Sequence, residues 1–422
     1  MLKQLLILTI LFFSAGAVFY SADFFLPVFA QESETSHWWD VQAIDTVKFS
    51  RDLAREKHTD ASFDAVINSQ MLQISETGAT HVSLGTPYDA EFLPYLKRWV
   101  TAARKYGLNV WFRGNFSGWE GWFGYKSITS AEHLQKTNLF IRDNAFLFED
   151  GDIFTACPEC ENGGPGDPRL TGQDEEFREF LIDEYKITNE AFRQINKNVR
   201  TNFNSMNGDI ARLIMDQETT LALGGIVTID HYVATPQKLA ADIKEIAKNS
   251  GGKVVLGEFG APIPDIHGDL SDQKQANWVH DALDAIAFLP ELYGVNYWTS
   301  TGSSTELWRS DNTAKPVVDE LIRVYTPHKV TGRIVNALGK PVAGAELNLG
   351  TREFATDEGG YFTAYFIDES PTFSITAHSY KEYAFLPGSD LEEHLLVLQK
   401  ERESLFFRLQ KFFYRLNPSA YK

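Results

Sequence analysis

The sequence predicts a (β/α)8 TIM barrel, followed by a small all-β sandwich and a C-terminal amphipathic helix. Three features carry that reading. From Val41 to about Tyr325, short apolar stretches alternate with amphipathic ones, and eight such pairs can be counted. Behind Pro327 the pattern changes to short alternating stretches broken by tight-turn residues. At 422 residues the chain is too long for one small domain and suits a large barrel with an accessory module.

The first segment, residues 1–30, opens with Met1-Leu-Lys-Gln and an apolar run, and ends Val28-Phe29-Ala30. Small residues there fit a signal-peptidase site with Gln31 as the new N-terminus. An uncleaved N-terminal anchor is the other reading, because apolar residues return at Phe24–Phe29. Either way a secreted or cell-surface protein is expected.

The barrel is expected over residues 31–327. Its strand candidates are Ala43–Phe49, Thr80–Leu84, Leu108–Arg113, Asp152–Ala156, Val199–Phe203, Gly225–Asp230, Lys253–Glu258 and Gly294–Trp298. Helical patterns such as Ala90–Lys105, Glu175–Gln194, Pro236–Lys248 and Gln273–Phe288 lie between them. Alternation of this kind implies parallel strands joined by right-handed crossovers. An open doubly wound sheet would alternate in the same way, but no Gly-rich dinucleotide fingerprint opens a helix.

Residues 328–388 read as the β-sandwich. The phrases Gly332-Arg-Ile-Val-Asn-Ala-Leu-Gly-Lys-Pro-Val-Ala-Gly-Ala345 and Thr356-Asp-Glu-Gly-Gly-Tyr-Phe362 resemble carboxypeptidase-regulatory-like domains, which implies a spacer or adhesion module. Residues 389–422 form the tail. Phe406, Phe407, Leu409, Phe412, Phe413 and Leu416 make an apolar stripe from which a helix over Leu391–Leu416 is expected. Such a helix packs on protein or lies in a membrane surface.

A net charge of −18 argues against nucleic acid as a partner. Both cysteines fall in Cys157-Pro-Glu-Cys160. Two thiols alone cannot complete a structural zinc site, and in an exported chain a local disulfide is expected.

The chemistry is read from Lys253-Val-Val-Leu-Gly-Glu-Phe-Gly-Ala-Pro262, an apolar strand ending on Glu258. A carboxylate leaving a barrel strand sits at the rim where catalysis is assembled. The fourth strand candidate runs into Cys157-Pro-Glu159-Cys-Glu161-Asn162, so carboxyls stand at the facing rim too. A retaining glycosidase needs such a pair, about 5 Å apart.

At these residues the sequence resembles the retaining (β/α)8 glycoside hydrolases of the clan that includes family 5, the cellulases and mannanases. Leu256-Gly-Glu258-Phe-Gly-Ala261 matches the setting of the nucleophile after strand seven. Pro158-Glu159-Cys160-Glu161-Asn162 stands where the acid/base follows strand four, with Pro158 in place of an Asn that binds the sugar. The resemblance implies Glu258 as nucleophile and Glu159 as acid/base, with Glu161 as the fallback. It implies Tyr232 as a partner of the nucleophile and Trp298 as a platform under the sugar. Asn162 or Asn204 would replace the missing Asn.

Further substrate contacts are expected from His231, Arg113 and Asn115, and from Trp119 and Trp122 in the Gly-loosened aromatic loop. Arg51 is the cation expected to hold the nucleophile ionised. Two carboxylates suffice for this chemistry, so no metal or other cofactor is expected and the partner is a carbohydrate. An inactive barrel that binds glycans at a surface is the alternative, since fold alone does not fix function.

Overall fold

The computed structural model describes residues 37–401, apart from 165, 369–370 and 388–393. The predicted signal or anchor segment and residues 402–422, which hold most of the predicted tail helix, lie outside the described residues.

Eight parallel strands form the barrel wall: β1 Val41–Asp45, β2 His81–Leu84, β3 Asn109–Phe112, β4 Ile153–Phe154, β5 Ser205–Asn207, β6 Ile226–Asp230, β7 Lys253–Phe259 and β8 Leu292–Tyr297. Their order is β4-β3-β2-β1-β8-β7-β6-β5, so β1 and β8 pair and the ends of the row meet. The meeting edge closes without a regular ladder. Ile153 bridges Arg200 in parallel, Phe154 N–H donates to Arg200 O (2.8 Å), and Glu159 N–H donates to Ser205 O (2.9 Å).

Seven of the eight predicted strands are present, with shifted ends. Val47–Ser50 is helical, which shortens the first strand, because Asp45 turns back to accept the Val47 N–H at 2.6 Å. The fifth strand moves from the predicted Val199–Phe203 to Ser205–Asn207. Helices Leu93–Lys105, Asp174–Gln194, Pro236–Ser250 and Asp272–Ala287 match the expected ones within a turn and cover the outer face.

Alternation along the strands separates two interiors. Val41, Ala43, Trp111, Ile153, Phe203, Ile226 and Val255 fill the lower barrel as one apolar layer. The larger core lies between strands and helices, and includes Trp99, Tyr95 and Phe112. Above the apolar layer the inward positions turn polar, with Asp45, Arg113, Ser205, Asp230 and Asn296 all buried.

Behind the barrel, β9 His328–Asn336, β12 Tyr361–Phe366 and β15 His394–Leu398 form one sheet in the order β12-β9-β15. The other, in the order β11-β10-β13-β14, holds β10 Glu346–Leu349, β11 Arg352–Ala355, β13 Phe373–Thr376 and β14 Tyr383–Phe385. The sandwich therefore extends past its predicted end at 388. The stretch expected to begin the tail helix instead supplies β15, because Leu396 and Leu398 alternate inward while Leu395 and Val397 point out.

The sandwich docks at the strands' N-terminal end. Trp38, just before β1, sets its ring edge-on to Phe288 (5.4 Å) and donates to Ala287 O (2.9 Å). The Arg352 guanidinium lies 3.7 Å from the centre of the Trp38 ring and bonds Trp38 O, while Thr351 bonds Phe288 O. Trp38→Ala is expected to cost about 3–5 kcal/mol, the usual range for emptying a buried Trp site. Urea denaturation checks this, and an unchanged midpoint would show that the Trp38 contacts carry little of the stability.

Candidate active site

The site opens at the C-terminal ends of the strands. Glu258 reaches it because β7 is irregular there. Leu256 pairs with Val295 and Phe259 with Tyr297, one residue out of step, which turns Glu258 into the mouth. Only glycine fits beside it. A Cβ on Gly257 would stand 2.4 Å from Asp230 Oδ1, and one on Gly260 would stand 2.5 Å from Trp298 O.

Arg113, at the end of β3, is the hub beneath Glu258. Its guanidinium pairs with Asp230 at 2.8 Å, Asp45 at 3.2 Å and Glu258 Oε1 at 3.4 Å, and also donates to Gly257 O at 2.8 Å. Asp45 further accepts from Ser83 Oγ (2.9 Å) and Asn296 Nδ2 (3.3 Å). Tyr232 donates its hydroxyl to Glu258 Oε2 at 2.9 Å. Burial pushes Glu258 up to about 7, with Arg113 pulling it back down and the nearby carboxylates Asp45 and Glu159 adding to the rise. Burial also drives Asp230 well up, against the pull of Arg113.

Glu159 faces this wall from the loop after β4. Its backbone is left-handed (φ 46°, ψ 55°), a conformation that costs a non-glycine residue about 1–3 kcal/mol. The loop holds it there. Cys157 and Cys160 bracket it in the expected disulfide, Ser205 O takes its N–H, and Asn162 Nδ2 donates to its Oε2 at 3.2 Å.

Glu159, Glu258, Asn162, Arg113, Arg51 and Trp122 thus line one cleft with a cavity volume of about 120 Å³, together with Asp45, Asp230 and Glu120. Trp298 stands half-buried beside Tyr232, ring to ring at 6.1 Å. The Trp298–Thr299 and Ala261–Pro262 peptides are cis.

Several predicted residues sit elsewhere. Glu161 is buried off the cleft, its Oε1 taking the Asn207 N–H (2.9 Å), and burial raises it to about 7. His231 turns outward to Asp242 (2.8 Å). Trp119 stacks on Phe180 at 5.0 Å and donates to Cys160 O at 3.2 Å, so it supports the Glu159 loop from below. Gly163 and Gly164 leave room for it. Asn115 is fully buried behind the cleft, and Asn204 is buried with its Nδ2 lacking a partner among the described residues. Arg51 is not the cation of Glu258. It pairs with Asp52 at 2.8 Å and lies over the Trp122 ring at 4.8 Å, and Arg113 takes the expected role.

Asp45, Asp230 and Glu120 reach the cleft in addition to the residues expected from the sequence. The signal for Asp45 is its inward register with Val41 and Ala43, an odd place for a charge. Among the described residues, no group of three or more His, Cys, Asp or Glu side chains is arranged to hold a metal ion.

No family model matches the chain, and no curated protein matches it significantly. Solved structures do resemble it. A GH5_18 protein from Bifidobacterium longum subsp. longum bound to Manβ1-4GlcNAc shares 15% identity over 72% of this chain and 85% of its own, with a TM-score of 0.52. The same organism's GH5_18 structure gives 17%, 72%, 87% and 0.52, and one from Streptomyces cattleya with Manβ1-4GlcNAc gives 15%, 70%, 84% and 0.50. The fold is therefore that of the (β/α)8 glycoside hydrolases.

Removing Arg113 leaves three carboxylates without their cation. Arg113→Ala is expected to destabilise by about 3–5 kcal/mol, the usual consequence of stripping one partner from a buried ion cluster. Adding Asp230→Asn should recover part of that loss in urea denaturation. No recovery would show that the charges beneath the cleft are not what Arg113 holds.

Proposed function

We propose that the protein is an exported retaining glycoside hydrolase acting on a β-linked glycan. The observation that carries this reading is that Glu159 and Glu258 line the same cleft, one from a loop and one from a strand end, with Tyr232 and Arg113 both bonded to Glu258.

Glu258 attacks the anomeric carbon, and Glu159 gives its proton to the departing oxygen. Glu159 then takes a proton from the water that releases the sugar. Tyr232 and Arg113 hold the Glu258 carboxylate in line for attack. Asn162, already bonded to Glu159 Oε2, steadies the acid. Trp298 offers a ring beside Tyr232 for the apolar face of the sugar. The sandwich lies at the other end of the barrel, so it serves as a support and takes no part in the cleft.

The Manβ1-4GlcNAc held by the similar structures puts β-mannosides first on a substrate panel, with β-glucans next. Cleavage by the Gln31-onward protein should vanish in Glu258→Ala and fall by about 100-fold or more in Glu159→Ala, the scale of a lost acid/base catalyst. Activity kept in Glu159→Ala and lost in Glu161→Ala would move the acid. Glycan binding without any cleavage would replace the hydrolase by a binding protein.

The pH profile is a second check. The nucleophile works as the carboxylate, and burial holds Glu258 up to about 7, so kcat/KM should fall as pH drops through about 7. Tyr232→Phe removes a hydrogen bond that favours the carboxylate, so this acidic limb should move to higher pH. A limb that stays in place would contradict the assignment.

A further inference from the structure

Glu120 is the cleft carboxyl that the two-carboxylate mechanism leaves unused. It ends the short helix Ser117–Glu120 after β3, just before Gly121, whose φ of 71° turns the chain away. Its Oε1 accepts from Asn115 Nδ2 at 2.7 Å. Asn115 is in turn fixed. Its Oδ1 accepts the Phe116 N–H at 2.7 Å and faces His133 Nε2 at 2.8 Å. A backbone N–H can only donate, so that atom is the oxygen, and His133 Nε2 must donate to it as well.

The chain continues inward from His133 Nδ1 to Glu184, and both residues are buried. A relay of polar groups therefore runs from the helix Asp174–Gln194 to the cleft, and from His133 Nε2 through Asn115 to Glu120 the direction of each bond is fixed. Its cleft end, Glu120 Oε2, has no partner among the described residues and is not buried, so it opens on the cleft.

We infer that Glu120 is a substrate-recognition residue, its Oε2 bonding a hydroxyl of the sugar held between Glu159 and Glu258, with Asn115 and His133 as positioning residues behind it. This rests on the glycosidase reading. A buried relay of this kind orients one side chain at the cost of buried polar groups, which is how a binding site gains specificity.

The sugar it recognises is uncharged. Asp45, Glu120, Glu159, Asp230 and Glu258 line the cleft against two arginines. Arg113 is engaged with three of those acids, and Arg51 is paired with Asp52. A uronate would bring a further carboxylate to a cleft whose cations, among the described residues, are already paired with acids.

The test is calorimetric binding of β-linked mannotriose, cellotriose and a β-glucuronide disaccharide to full-length Glu258→Gln protein, with and without Glu120→Ala or Glu120→Gln. Steady-state kinetics of the single Glu120 variants and of His133→Leu accompany it. A neutral trisaccharide should bind and the glucuronide should not. Glu120→Ala should weaken binding and raise KM by about 10-fold to 100-fold, as for a hydrogen bond to an ionisable group. Glu120→Gln should lose less, because its amide still bonds a hydroxyl and fits the same place if the alanine variant fails to fold. His133→Leu should raise KM in the same sense.

Unchanged binding in both Glu120 variants, or preferred binding of the glucuronide, overturns the inference. If the wild type cleaves glycans while the Glu120 variants match it, this inference alone fails. If neutral sugars bind through Glu120 but nothing is cleaved, only the hydrolase reading fails. If none of the three sugars binds, both fail.

Discussion

One buried guanidinium organises the mouth of this barrel. Arg113 pairs with Asp45 on β1, Asp230 on β6 and Glu258 on β7, and so ties three strands across the interior. Burying charge is costly, and the cost is offset only where partners are close and their remaining atoms are bonded. Asp45 meets that condition through Val47 N–H, Ser83 and Asn296. Glu258 meets it through Tyr232. Gly257 follows from the same constraint, since Asp230 fills the space where a side chain would begin.

The two walls of the cleft are built in different ways. Glu258 stands on strands, set by a break in register and held by a buried ion cluster. Glu159 stands on a loop, set by a left-handed backbone, a disulfide and the Trp119 ring packed beneath. In the proposed roles the nucleophile needs fixed aim, which a strand end supplies, and the acid has to stay accessible to water, which a half-buried loop position gives.

The barrel could be read from the sequence because its signal is repeated eight times, and a shifted strand end does not hide it. Glu258 was legible for a local reason: a buried apolar strand ending in a carboxylate between two glycines has few other uses. Tyr232 bonds Glu258 as expected, whereas the cation beside Glu258 is Arg113, expected only as a substrate contact, and not Arg51. Which cation reaches a carboxylate depends on inward register across the barrel, and one chain position does not reveal that. Trp119 and His231 misled for a related reason. An aromatic or a histidine beside a strand end faces the cleft or the helices according to one rotation of the backbone. The end of the sandwich was missed because residues 391–398 are apolar enough to suit a helix, and only their pairing with β9 makes them a strand.

In the proposed mechanism Glu258 becomes bonded to the sugar. Incubating the enzyme with an activated fluoroglycoside, whose fluorine slows release of the intermediate, and mapping the adduct by mass spectrometry tests it most directly. One glycosyl group per chain is expected, on the peptide carrying Glu258, and none in Glu258→Gln. An adduct on Glu159, Glu161 or Glu120, or turnover with no adduct at all, would contradict it.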